Sequence, residues 1–183
     1  MTLLTKQLLV VVIILLVLFM GALSILLYHK MFKKIKVKEG AFRPLNFAYT
    51  FHKGDYQKNM VIMEDLMKDL QKASIPVVSP ATIYYDNPRK TKRFELRSDI
   101  GFIVPDSITQ DQLGDIKLKK VHHKKYIYTA FPYKSRFSIM IGAMRVYPAF
   151  KKQLKKLGKP EREMIEIYEM QNKTIIYLMP VAD

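Results

Sequence analysis

The sequence predicts an α+β domain of two duplicated strand–helix–strand–strand modules, behind one N-terminal transmembrane helix. Three observations lead there. The stretch Met164–Met170 alternates strictly, as a strand does. Two segments with helical periodicity, over 56–73 and 138–157, each follow a strand-like run and precede two more. And Gln7 to Tyr28 contains no charged residue.

The apolar run comes first in the chain. Its centre, Leu8 to Met20, is uniformly apolar, and a spanning helix needs about 20 such residues. A signal peptide has a shorter apolar region, roughly 7–15 residues, before a small-residue cleavage site. Gly21-Ala22-Leu23-Ser24 is a weak site of that kind, so the run reads as an uncleaved single-pass signal-anchor. Lys6 precedes it, while Lys30, Lys33, Lys34, Lys36 and Lys38 follow it closely. Positive flanks stay on the cytoplasmic side. The expected topology places the N-terminus outside and the domain in the cytoplasm, at a bacterial inner membrane or the endoplasmic reticulum. The expected layout is an anchor over residues 1–29, a basic juxtamembrane linker over 30–43 and a domain over 44–183, with repeats at about 45–105 and 118–181.

The chain is basic, with 31 Lys+Arg against 16 Asp+Glu, a formal net charge of +15. Lys6 is the only charge before Lys30, so +14 falls on the remainder. Beside a membrane such a domain meets anionic lipid head groups, at about 1 kcal/mol per lysine near the surface. The lysine runs, such as Lys117-Leu118-Lys119-Lys120, read as solvated faces. No zinc-finger, RRM or helix-turn-helix pattern accompanies them, so no nucleic acid is expected. The absence of cysteine excludes disulfides, thiolate zinc sites and thiol catalysis. His122 and His123 are adjacent, and on an extended segment they point to opposite faces, a poor metal pair. No metal and no cofactor are expected. With no Trp but 11 Tyr, 10 Phe and 11 Met, the core is expected to be soft and aromatic.

Within the domain, Phe47–Phe51 reads as the first strand, and Gly54 breaks the turn after it. Asp55 is placed to cap a helix over 56–73, in which Ile62, Met63, Leu66, Met67 and Leu70 recur at three and four. Pro76 and Pro80 close that element. Thr82–Asp86 and Phe94–Val104 read as strands around a turn at Asn87-Pro88. Residues 105–120 are polar and read as a connection. The order then repeats: an aromatic strand from Tyr126 to Phe131, a helix from Ser138 to Leu157 that Pro148 kinks or splits, and strands at 165–170 and 174–179. Laying Ile83-Tyr84 on Ile167-Tyr168 sets Thr82 against Glu166.

Alternation puts Ile165 and Ile167 on one face of their strand and Met164, Glu166, Tyr168 and Met170 on the other. The aliphatic face suits packed helices. The second face sets a carboxylate between an aromatic ring and thioethers, which suits a binding surface. The same pattern also fits a carboxylate pointing to solvent beside an ordinary strand aromatic.

Three segments carry a family resemblance: Phe51-His52-Lys53-Gly54-Asp55-Tyr56; Ile83-Tyr84-Tyr85-Asp86-Asn87-Pro88 with Phe94-Glu95-Leu96-Arg97-Ser98-Asp99-Ile100-Gly101; and Ile165-Glu166-Ile167-Tyr168 with Tyr177-Leu178-Met179-Pro180. In these the chain resembles the GyrI-like domains, the effector-domain fold of BmrR-type regulators, also described as GyrI-like/SOUL-type. The resemblance covers roughly residues 45–181. It implies two modules related by pseudo-twofold symmetry, with helices on one face and a ligand cleft on the other. It places Ile83 and Ile167 toward the helices, and Glu166, Tyr168 and Tyr84 toward the cleft, where Tyr128 joins them. It implies that Glu166 meets cationic aromatic ligands at the cleft floor, with tyrosine faces adding about 0.5–2 kcal/mol each.

The expected function is therefore a membrane-anchored cytosolic binding module for a small-molecule, lipid-like or cationic ligand, without chemistry. A protein–protein adaptor using the basic surface is the alternative, and a cleft-glutamate hydrolase a further one. Relatives that open strained rings use a tryptophan with the glutamate, and this chain has none. Eukaryotic endoplasmic-reticulum proteins also set such a domain behind one helix, followed by a long acidic tail with an autophagy-linked motif. The sequence stops at Asp183, so that function is not carried over.

Overall fold

The computed structural model describes residues 3–28 and 34–181. Lys30 and Lys33, on which the topology expectation partly rests, lie outside the described residues. The chain divides into two compact units, which part between Lys34 and Ile35.

The first unit is a helix, α1 (Leu3–Tyr28). Over Thr5–Ile25 it is long and apolar enough to cross a membrane. Its one mid-helix hydroxyl, on Ser24, donates to the Met20 carbonyl oxygen at 2.8 Å, so the segment carries that polar group already satisfied.

The second unit is one eight-stranded antiparallel sheet with two helices. In chain order its elements are β1 (Lys38–Gly40), β2 (Leu45–Lys53), α2 (Asn59–Lys72), β3 (Ser79–Tyr84), β4 (Arg97–Val104), β5 (Lys117–Val121), β6 (Tyr126–Pro132), α3 (Phe137–Leu157), β7 (Met164–Glu169) and β8 (Thr174–Pro180). The sheet order is β1-β6-β8-β7-β3-β4-β2-β5. Read outward from the β7–β3 junction, each half has the same sequence of strands. The module β2-α2-β3-β4 and the module β6-α3-β7-β8 are thus the two repeats, joined through their third elements. At that junction Thr82 pairs with Glu166, and Ala81–Ile167 and Ile83–Ile165 flank them symmetrically. The alignment that set Thr82 against Glu166 in sequence is a pairing in space, at the pseudo-twofold axis.

Both edges come from segments read as connections. β5 lies in the polar stretch between modules and pairs with β2, while β1 lies in the basic stretch before the domain and pairs with β6. Asp55 does cap: its side chain accepts from the Gln57 N–H at 3.0 Å, opening a short 3-10 turn over Tyr56–Lys58 that leads into α2. α3 runs unbroken through Pro148 rather than splitting there, and it ends at Gly158, whose φ of 63° is the left-handed helix stop.

The assignment of faces needs a correction. Both helices pack on the Glu166 face. Leu66 and Leu70 of α2 cluster with Ala48, Phe102 and Val104 of the sheet. A Cβ on Gly142 of α3 would fall 2.3 Å from the Tyr177 hydroxyl, so α3 sits directly on β8. Register places Ala48, Phe102, Thr82, Glu166 and Tyr177 on this one face. The isoleucine face carries no helix. Phe47, Ile83, Ile165, Ile167 and Leu178 gather there and are all nearly inaccessible. Neither α2 nor α3 covers them; Phe42, edge-on to Tyr126 at 6.3 Å, packs against this cluster together with Tyr49, Tyr128 and Ile176.

Candidate ligand cleft around Glu166

Glu166 sits at the symmetry axis, 2% exposed. β7 fixes its direction, with Met164 and Tyr168 on either side along the strand. The Tyr168 hydroxyl donates to one carboxylate oxygen at 2.8 Å, and the Tyr147 hydroxyl, from α3, donates to the other at 3.1 Å. Among the described residues no cation pairs with it. Burial is the larger influence and raises the carboxyl from about 4.5 to about 7; the two tyrosine bonds pull it partly back. Near neutral pH this site holds a carboxyl that is part acid and part anion.

Tyrosines surround it. Tyr177 lies directly across on β8, and its buried hydroxyl has no hydrogen-bond partner among the described residues. Tyr84 follows Thr82 on the same face of β3, edge-on to Tyr56 at 4.9 Å. Burial pushes the Tyr84, Tyr147, Tyr168 and Tyr177 hydroxyls up, so all stay protonated and able to donate. Two cavities meet at Tyr84. One, of about 340 Å³, lies between the N-terminal ends of α2 and α3 and is walled by Tyr56, Met60, Met63, Tyr84, Ile139 and Tyr168. The other, of about 550 Å³, is bordered by Tyr84, Tyr147 and Met164, with Arg97, Glu161 and Glu163 at its rim. Glu166 lines neither. It lies behind the tyrosines that separate them.

The structure thus brings Glu166, Tyr168 and Tyr84 together and leaves Tyr128 out. Tyr128 pairs with Leu178 on the opposite face and packs near Phe42. Two residues at the carboxylate escaped the sequence reading. Tyr177 was part of the quoted closing segment Tyr177-Leu178-Met179-Pro180, but its place level with Glu166 comes from the β7–β8 register. Tyr147 precedes a proline that suggested a broken helix, and nothing in its spacing marks it.

The opposite face holds a second polar cluster. Asp99, 3% exposed, accepts from the Tyr85 hydroxyl at 2.6 Å and is in direct contact with the Lys119 ammonium. That ammonium lies 4.5 Å from the Tyr49 ring centre and 5.8 Å from that of Phe47. Lys119, read as part of a solvated run, is the half-buried counter-ion of the buried Asp99 on this sheet face.

A carboxyl balanced near neutrality, ringed by hydroxyl donors and aromatic walls, has two chemical uses. As an anion it attracts an organic cation into a low-dielectric site. As a base it accepts a proton from a bound water or substrate.

No protein-family model matches the chain. Human testis-expressed protein 264 is 26% identical over 167 residues, covering 85% of this chain and 51% of that protein. The chain spans about half the length of this curated relative. Among solved structures, the EcmrR C-terminal domain superposes with a TM-score of 0.61 at 9% identity, covering 81% of this chain and 98% of that one. SAV2435 bound to tetraphenylphosphonium superposes with a TM-score of 0.55 at 8% identity, covering 82% and 94%. At such identities the likeness speaks for the fold. The second unit is an α+β domain of the fold shared by GyrI-like effector-binding domains, and one apolar helix precedes it in the sequence.

Proposed function

We propose that this protein is a membrane-anchored binding module whose cleft takes an organic cation against Glu166, without transforming it. The buried carboxylate carries the reading: it is held by two tyrosine hydroxyls, pairs with no cation among the described residues and lies behind Tyr84 and Tyr168, which wall an aromatic and thioether cavity of about 340 Å³. Removing a carboxylate from water is costly. A site that keeps one without a counter-ion is suited to receive the counter-ion from outside. Tyr84 and Tyr168 supply faces for a flat or aromatic cation, and Met60 and Met63 adapt to its outline. Glu166 is reached from this cavity when the tyrosine wall parts, so ligand entry involves a shift of Tyr84 or Tyr168.

The SAV2435 structure supplies a probe, since its ligand is a lipophilic cation. Calorimetric titration of tetraphenylphosphonium is expected to show saturable binding that Glu166→Gln weakens at least tenfold, corresponding to about 1.4 kcal/mol. Equal binding by the variant removes Glu166 from the account. On the same reading α1 is the anchor, with the domain on the cytoplasmic side. Protease added outside sealed vesicles of defined orientation tests that placement. The raised carboxyl of Glu166 also favours a general-base reading, which ester or epoxide turnover abolished by Glu166→Gln would establish.

A further inference from the structure

We propose that the outer face of α3 docks on an anionic lipid surface, so that the tyrosine-walled cavity opens beside the bilayer and draws amphipathic cations from it. This rests on the reading of α1 as a membrane anchor and adds the source and class of the ligand.

The observation is a line of residues along α3. Phe137, Met140, Met144, Pro148, Lys151 and Lys155 follow one another at spacings of three and four, so they share one helical stripe. The opposite stripe, with Gly142, Val146, Phe150 and Leu154, is buried on the sheet. An outward stripe on a surface helix is normally polar. Here Phe137, Met140 and Met144 are 63%, 56% and 55% exposed. The stripe then turns cationic at Lys151 and Lys155. Apolar side chains followed by lysines on one exposed face are the pattern of a helix lying in a membrane interface.

The cavity mouth lies at the same end of α3. Arg136 and Ile139 line it from α3, Met60 from α2 and Met170 from the end of β7. Met60 and Met170 are themselves 42% and 51% exposed. Exposed apolar side chains therefore border the opening, as others lie elsewhere at Phe94, Val78 and Phe51.

Two features select lipid over a protein as the occupant. The same chain carries a helix long enough to span a bilayer, and the segment from 29 to 37 reaches at most roughly 30 Å. The net charge of +14 beyond that helix, with Lys155 on the stripe itself and Lys151 one turn before it, 3.7 Å from the Glu161 carboxylate, complements anionic head groups. Methionine thioethers, flexible and unbranched, suit a fluid partner better than a fixed one.

The chain contains no tryptophan, so single-tryptophan reporters are clean. The full-length protein carrying Phe137→Trp, and separately Phe51→Trp, is reconstituted into vesicles of phosphatidylcholine, phosphatidylserine and brominated phosphatidylcholine. Phe51 is exposed on β2 and belongs to the sheet face without helices. The Phe137→Trp reporter is expected to emit at shorter wavelength and to be quenched several-fold more than the Phe51→Trp reporter. High salt, or Lys151→Glu with Lys155→Glu, is expected to reverse the difference. Equal quenching in a chain that floats with the vesicles overturns the docking. So does a blue shift that depends on protein concentration and not on lipid, which assigns the stripe to a second copy. A chain that does not float with vesicles overturns both docking and anchor, while tetraphenylphosphonium binding decides the cleft reading separately.

Discussion

Replacing Glu166 by glutamine should make the domain more stable at alkaline pH and about 1 kcal/mol less stable in acid. The folded carboxyl titrates at about 7 and the unfolded one near 4.5. Below about pH 4.5 both states hold the proton and the group contributes nothing. Between about 4.5 and 7 the folded state keeps a proton that the unfolded state releases, so stability falls as pH rises. Above about 7 both are ionised and the full cost is present. At 1.36 kcal/mol per unit, that cost is about 3 kcal/mol. The glutamine variant lacks this slope. Its amide cannot accept from both Tyr147 and Tyr168 as the carboxylate does, which adds a pH-independent penalty of about 1 kcal/mol. The difference between variant and wild type, from urea unfolding of residues 35–183 between about pH 5 and 8, should swing by about 3 kcal/mol in the variant's favour. The second unit has its own core and strand ladder, which justifies using it alone. Parallel stability curves across that range would refute the reasoning, since Glu166 would then not be a desolvated, unpaired carboxyl.

Other outcomes follow from single contacts. Lys119→Met leaves Asp99 buried without its cation and should cost about 1–3 kcal/mol, most of it recovered by adding Asp99→Asn, as a double-mutant cycle in urea would show. Gly101→Ala should abolish soluble expression or cost several kcal/mol in thermal melts, because its Cβ would meet the Ala48 carbonyl oxygen at 2.0 Å across the β2–β4 ladder. Tyr147→Phe removes a bond that lowers the Glu166 carboxyl, so the midpoint of its titration, followed by NMR, should move upward.

Much of this fold was legible because periodicity is local. The alternation of Met164–Met170, the three-and-four spacing of Ile62 to Leu70 and the repeat that aligned Thr82 with Glu166 all reappear as elements and as a pairing. Alternation states which residues share a face and is silent on what covers that face. The isoleucine face looked ready for helices, yet α2 and α3 both cover the face bearing the carboxylate, and the isoleucines are buried among Phe42, Phe47, Tyr126 and their strand neighbours. Tyr128, set in the cleft with the resemblance, lies on the isoleucine face, because β6 pairs it with Leu178 and no local pattern fixes that register. Lys119 was invisible because its neighbours Lys117 and Lys120 make the run look solvated. Only the pairing of β5 with β2 turns it onto Tyr49 and Asp99. Tyr147 belongs to Glu166 through a helix-to-sheet contact far apart in sequence, which no spacing rule encodes.

The most direct test of Glu166 as a cation receptor is proton release on binding. Near pH 7 about half of the sites hold the Glu166 proton, so an incoming cation that requires the anion should expel about half a proton per site. Titrating tetraphenylphosphonium into residues 35–183 in two buffers of different ionisation enthalpy measures that number. The account predicts about half a proton released by the wild type near pH 7, less at higher pH, and none from Glu166→Gln. Binding with the same heat in both buffers, undiminished in Glu166→Gln, would contradict it.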